Sequence, residues 1–266
     1  MKNIFKALVV VILSQFLVLA SYAGEDGTKT LSNSNKPVKD CFEKLNRGIF
    51  AFNQGLDKAL FEPIATGYSK LPVPIKKSSS NFVNNISNLV TIPNNILQGD
   101  FKSAGTNTLR LIINTTLGIV GLFDAAEAMG LQKLDKEDYG QTLGKMGFGP
   151  GCYLVLPVLG PTTVRDTIGT IASISGGDPF YNISITRDTH YFSDFDYYAT
   201  KATSAIDFRA KNLGSLENLE ENSIDFYASV RSLYLQDREN KIKNNQRGSI
   251  EVLYKDEEDW EEIDNK

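Results

Sequence analysis

The sequence predicts an all-α protein: a single helical domain of amphipathic segments with a polar, acidic C-terminal tail. Three observations carry that expectation. Apolar residues recur at helical spacing, as Leu45, Ile49, Phe52 and Leu56, then Phe82, Ile86, Leu89 and Val90, then Phe226, Val230, Leu233 and Tyr234. No convincing run of alternating strand pattern and no internal repeat is present. Hydrophobic residues make up 41% and charged residues 23% of the 266, ordinary globular values that let the chain bury a substantial core.

Residues 1–23 read as an export signal. Lys2 and Lys6 flank the start of an apolar run, residues 7–20, followed by Ser21-Tyr22-Ala23, so cleavage is expected between Ala23 and Gly24. The run is too short to span a bilayer, which needs about 20 residues. Residues 24–39 are polar and aperiodic, a flexible tether, and residues 40–245 form the helical domain.

Within that domain the first helix carries Leu45, Ile49, Phe50, Phe52, Leu56, Leu60 and Phe61, with Asn46, Arg47 and Asn53 polar among them, and Glu62-Pro63 is expected to end it. Leu71-Pro72-Val73-Pro74 breaks the next helix, and Thr91-Ile92-Pro93 is expected to stop the one after it, with a short helix starting in residues 94–101. Residues 109–122 are the most apolar mature segment, with 13 uncharged residues between Arg110 and Asp124. Two readings fit it: a buried core helix, or a helix lying flat at a membrane interface or lining a lipid path.

Residues 139–169 are dense in glycine and proline. The run Tyr153-Leu154-Val155-Leu156-Pro157-Val158-Leu159 is too short and too interrupted for a long helix and reads as an extended or turn-rich buried segment. Thr162 or Thr163 then caps a helix starting near Val164. The aromatics of residues 180–210 fit either a core cover or an interfacial belt, and Ser223 is expected to cap the last helix.

Residues 251–266 hold eight acids and two lysines, a net of −6. The whole chain carries −4, so residues 1–250 carry +2, which Lys2 and Lys6 supply. A neutral mature body has no nucleic-acid footprint. Residues 246–266 read as a solvated, disordered tail that either solubilises or docks a basic partner.

No catalytic constellation emerges. His190 is the single histidine and has no G-x-S-x-G serine to serve, and Asp194 and Asp196 nearby make no triad without a nucleophile. Gly147-Phe148-Gly149-Pro150-Gly151 lacks the P-loop lysine and reads as turn chemistry. Arg165-Asp166 is either a helix-start pair or a contact for a phosphate headgroup. Two cysteines and one histidine fall short of a closed zinc site, so neither metal nor cofactor is expected.

The stretches LNRGIFAFNQGLD, NNILQGDF, GQTLGKMG and YLVLPVLGPTTVRD, in that order across residues 40–169, resemble the MlaA (VacJ-type) family of outer-membrane phospholipid-transport lipoproteins. The resemblance implies a ring-like helical protein in the inner leaflet of the outer membrane, beside a trimeric porin. Such a protein would extract phospholipids mislocalised to the outer leaflet and pass them to a soluble periplasmic carrier. The motif positions that transfer are Asn46, Arg47, Phe50, Phe52, Asn53 and Asp57, then Asn81 and Phe82, Gln98, Gln141, Arg165 and Asp166. Of these, Asn53, Gln98 and Arg165 are the expected polar groups facing the lipid path. A soluble lipid carrier in the periplasm and a lipid hydrolase using His190 are the rival functions.

The chain departs from the family in two ways. No cysteine stands directly after the export signal, the first being Cys41, so a lipid anchor is not expected. Cys41 and Cys152 each stand where the family has proline, which implies that the two positions meet, and a Cys41–Cys152 disulfide is expected in an exported chain.

Overall fold

The computed structural model describes residues 38–186 and 192–243. The export signal, the tether, His190 and the acidic tail therefore lie outside the described residues. Helix α1 (Glu43–Leu56) runs through a π-turn (Asp57–Phe61) into α2 (Glu62–Ser69), followed by α3 (Val73–Leu97), α4 (Phe101–Thr116), α5 (Ala125–Ala128) and α6 (Tyr139–Lys145). A hairpin of β1 (Tyr153–Leu156) and β2 (Gly160–Thr163) leads into α7 (Val164–Ala172) and the short α8 (Pro179–Tyr181). Helices α9 (Asp194–Lys211), α10 (Leu213–Asn222) and α11 (Phe226–Ile242) complete it.

The all-α expectation holds, with the one hairpin as an addition. Its antiparallel register pairs Tyr153 with Thr163 and Leu156 with Gly160. Three boundaries differ from expectation. Pro63 does not end the first helix, because the N–H of Glu62 reaches five residues back to Asp57 and the widened turn absorbs the proline. Pro93 lies inside α3, where Thr91 and Asn94 donate to the carbonyls of Ser87 and Val90 and keep the turns around it bonded. Asp225, not Ser223, caps α11 by accepting from the N–H of Ala228 at 3.1 Å, while Thr163 caps α7.

Helices α6 and α7 meet backbone to backbone. A Cβ on Gly169 would lie 2.3 Å from the Gly140 nitrogen, and one on Gly140 would lie 2.5 Å from the Asp166 carboxylate. Backbone cannot give way as a flexible side chain can. Gly169→Ala is expected to cost at least about 2 kcal/mol by overpacking, read as a lower melting temperature in detergent.

The two apolar clusters are small: Tyr153, Val155 and Tyr227 with Phe50 and Ile49 around them, and Ala65 with Ala210. Among the described residues, buried polar and charged side chains outnumber buried apolar ones. No helix there is long and apolar enough to cross a membrane.

Candidate functional site

The hairpin is held by side-chain amides that imitate a neighbouring strand. Asn46 and Asn53 lie two turns apart on α1 and so share a face. Asn46 donates to the Tyr153 carbonyl at 3.0 Å and accepts from the Val155 N–H at 3.0 Å. Asn53 does the same one step along, donating to the Leu156 carbonyl at 2.9 Å and accepting from the Val158 N–H at 2.8 Å. Asn46 thereby satisfies the free edge of β1 without a third strand, and Asn53 holds the turn that follows it. Cys41 and Cys152 form a disulfide with Cα atoms 5.6 Å apart, tying the start of α1 to the start of β1. Asn53, expected to face a lipid path, has both ends of its amide committed to the hairpin.

The rest of the first motif holds α1 to later helices. Arg47 forks onto Asp225 at 2.6 and 3.1 Å and lies over the Tyr227 ring, so it meets the carboxylate that caps α11. Phe50 packs edge-on against Phe226 and Tyr227, whereas Phe52 is exposed. Asp57 accepts from Arg209 of α9 at 3.0 and 3.1 Å.

Arg238 of α11 reaches between the first turns of α6 and α7. It donates to Asp138, the cap of α6, at 2.6 and 2.9 Å, and to Asp166 at 2.8 and 3.2 Å. Tyr234 adds a hydrogen bond to Asp166 at 2.7 Å. Burial pushes the Asp138 carboxyl up, but the bonds and charge of Arg238 outweigh it and hold it at about 2. Asp166 is likewise lowered, its burial overcome by the charge and bonds of Arg238 and by Tyr234 and Arg165. Arg165 is buried and turned onto Asp166 at 3.0 and 3.1 Å, so its guanidinium is engaged with a carboxylate rather than presented at a surface.

The wall made by α3 and α4 is built inside out. Helix α4 buries Ala104, Asn107, Arg110 and Asn114 and exposes Phe101, Leu109 and Ile112. Asn107 donates to Asn95, Asn85 donates to Thr115, and Arg110 pairs with Asp124. The two charges that bracketed the uncharged stretch thus meet, because the chain turns back at residues 117–123. Ile119 and Val120 take left-handed backbone there, at φ 52° and 59°, and both stay exposed beside Leu117 and Phe123. Of the two readings of residues 109–122, the buried apolar core helix fails: it is the polar face that is buried.

Gln98 bridges this wall to α6, donating to Glu137 at 2.8 Å and Thr142 at 3.0 Å. Gln141 is buried and donates to Asp138 and to the Lys136 carbonyl. The Asn81 side-chain oxygen is buried without a partner among the described groups, and Phe82 beside it is half-buried. The buried side of this wall is polar, and α4 turns Phe101, Leu109 and Ile112 outward.

The profile of the MlaA lipoprotein family matches residues 38–241. The chain belongs to the MlaA lipoprotein family. A protein of Rickettsia bellii is 38% identical over 79% of this chain and 80% of its own length. The Escherichia coli intermembrane phospholipid transport system lipoprotein MlaA is 32% identical over 74% of this chain and 76% of its own. A solved structure reported as the structural basis for maintenance of bacterial outer membrane lipid asymmetry is 30% identical, with TM-score 0.64, over 77% of this chain and 99% of that one.

The MlaA motifs of this chain gather around the hairpin and the α6–α7 contact. Phe52, Asp57, Asn81 and Phe82 stand apart from that cluster. Sequence reasoning missed Arg238, Tyr234, Asp138 and Lys136. Asp138 did leave a signal, since an aspartate three residues before Gln141 has the spacing of a helix cap. Arg238 left only a weak one, as the position one turn beyond Tyr234 on an apolar stripe.

Proposed function

We propose that this MlaA-family chain works in the inner leaflet of the outer membrane, drawing phospholipids out of the outer leaflet and passing them to a soluble periplasmic carrier beside a trimeric porin. The observation that carries the reading is the reversed burial of α4. An exposed apolar face over a buried polar one is unfavourable in water and favourable in a lipid leaflet. The exposed Leu117, Ile119, Val120 and Phe123 extend that apolar surface past the end of the helix. The polar interior offers a phospholipid headgroup a passage that the acyl region would deny it. Transport of this kind needs no covalent step, and the family's named members are intermembrane phospholipid transport system lipoproteins.

The test is purification of the protein from native outer membranes, with mass spectrometry of what accompanies it. Intact phospholipid on membrane-resident protein is the expected result. Lysophospholipid or free fatty acid would mean hydrolysis, and recovery as a lipid-free soluble protein would end the leaflet assignment. Charging the outer face gives a second test. Leu109→Glu with Ile112→Glu should leave the fold intact, since neither side chain is buried, and reduce vesicle flotation at least about tenfold.

A further inference from the structure

Lys136 is the charge that neither the hairpin nor the α6–α7 contact uses. It lies in the segment before α6, and its Nζ donates to Asn88 of α3 at 2.6 Å. Asn88 is itself buried, and the side-chain oxygen of Asn85, one turn earlier, is buried without a partner among the described groups. The charges that act on this ammonium are those of Arg110 from α4, Lys133 and Asp135 from its own segment, and Asp124 from the cap of α5. Arg110 is engaged elsewhere: it donates to the Leu131 carbonyl and pairs with Asp124 at 2.5 Å. The Asp124 carboxylate is thereby taken, accepting also from Asn114. A lysine normally finds a carboxylate when it is taken out of water, yet the hydrogen-bond partner here is the neutral amide of Asn88. Lys136 nonetheless keeps part of its accessible surface.

We infer that Lys136, seated on Asn88, is a binding site for one phosphodiester group entering the polar interior. The assignment rests on the lipid-transport reading, since a phospholipid headgroup is the phosphodiester that reading brings there. Burial first, and then the charges of Lys133 and Arg110, lower the Lys136 ammonium to about 7, partly offset by Asp124 and Asp135. An arriving anion restores the proton, so the site holds its ligand best below neutral pH and releases it above.

The experiment uses the full mature chain in detergent, titrated with dicaproyl phosphatidylglycerol, dimethyl phosphate and dicaproylglycerol at pH 6 and pH 8.5. Both diesters keep a single charge over that range, so any pH effect reports the protein. The wild type is expected to bind the phospholipid about tenfold more weakly at pH 8.5, the scale of one charge-assisted hydrogen bond. Lys136→Gln should bind weakly and Lys136→Arg tightly at both pH values, and dicaproylglycerol should bind without pH dependence. Dimethyl phosphate should compete with the phospholipid and follow the same profile. Binding of dimethyl phosphate without phospholipid would sink the headgroup assignment. A Lys136→Gln variant with the wild-type pH profile would overturn the site and leave the transport reading standing, whereas a wild type that binds no lipid at either pH would end the transport reading itself. Folding is checked independently. A folded-state lysine below its unfolded value of 10.5 makes the wild type gain stability as pH rises from about 7 toward 10.5, and that rise should vanish in Lys136→Gln.

Discussion

Arg238→Met should be the most damaging single substitution in the interior, costing about 3–5 kcal/mol. The side chain is nearly buried and answers two carboxylates, Asp138 and Asp166, which would be left facing each other without a cation from α11. Methionine keeps the bulk, so the loss is of charge and hydrogen bonds rather than of packing. The pH dependence gives a second signature. Asp138 and Asp166 sit below their unfolded values, so the folded state binds fewer protons, and their stabilisation is complete above about pH 4. In the wild type it is lost as pH falls toward about 2, where Asp138 titrates. In Arg238→Met both carboxyls should rise, and acid should then stabilise the fold relative to neutral pH. Thermal melts at pH 4 and pH 7 distinguish the two chains; an unchanged melting temperature at pH 7 would refute the stabilising role of the Arg238 bridge to Asp138 and Asp166.

The Cys41–Cys152 disulfide should contribute about 4–5 kcal/mol, because it closes a loop of 111 residues in the unfolded chain. A Cys41→Ser, Cys152→Ser double variant is expected to melt correspondingly earlier, and adding reductant should lower the wild type toward it. The effect should concentrate at the hairpin. Around the disulfide, Tyr153 N–H donates to the Lys39 carbonyl at 2.9 Å, Tyr227 donates to Asp40, and Arg231 donates to the Val38 carbonyl at 2.5 Å. These bonds keep the segment before α1 on the hairpin, yet without the covalent link they must hold it against the chain's own entropy. Hydrogen exchange at Val155 and Val158, whose N–H groups rest on Asn46 and Asn53, should quicken first.

Helical spacing made the long helices legible. Leu45 to Leu56 and Phe82 to Val90 showed their period without any help from contacts, and Thr163 announced the start of α7. Boundaries at prolines were not legible: whether Pro63 or Pro93 ends a helix depends on whether the neighbouring turns stay hydrogen-bonded, and the folded backbone and side chains around each proline decide that. The hairpin was invisible as strands because Pro157, Gly160 and Pro161 break any alternation. It exists because two asparagines of α1, more than a hundred residues away, complete its edge.

The apolar stripes belong to the chain itself, since a period of 3.6 residues follows from covalent geometry and side-chain chemistry alone. Which stripe faces inward does not. On α4 the sequence shows Leu109, Ile112, Asn107, Arg110 and Asn114 at helical spacing on two faces, and either face could in principle be buried. The fold buries the polar one, because Arg110 and Asn114 find Asp124 and Asn107 finds Asn95. Buried polar groups are tolerated only when partnered, and those partners come from distant positions brought together by folding.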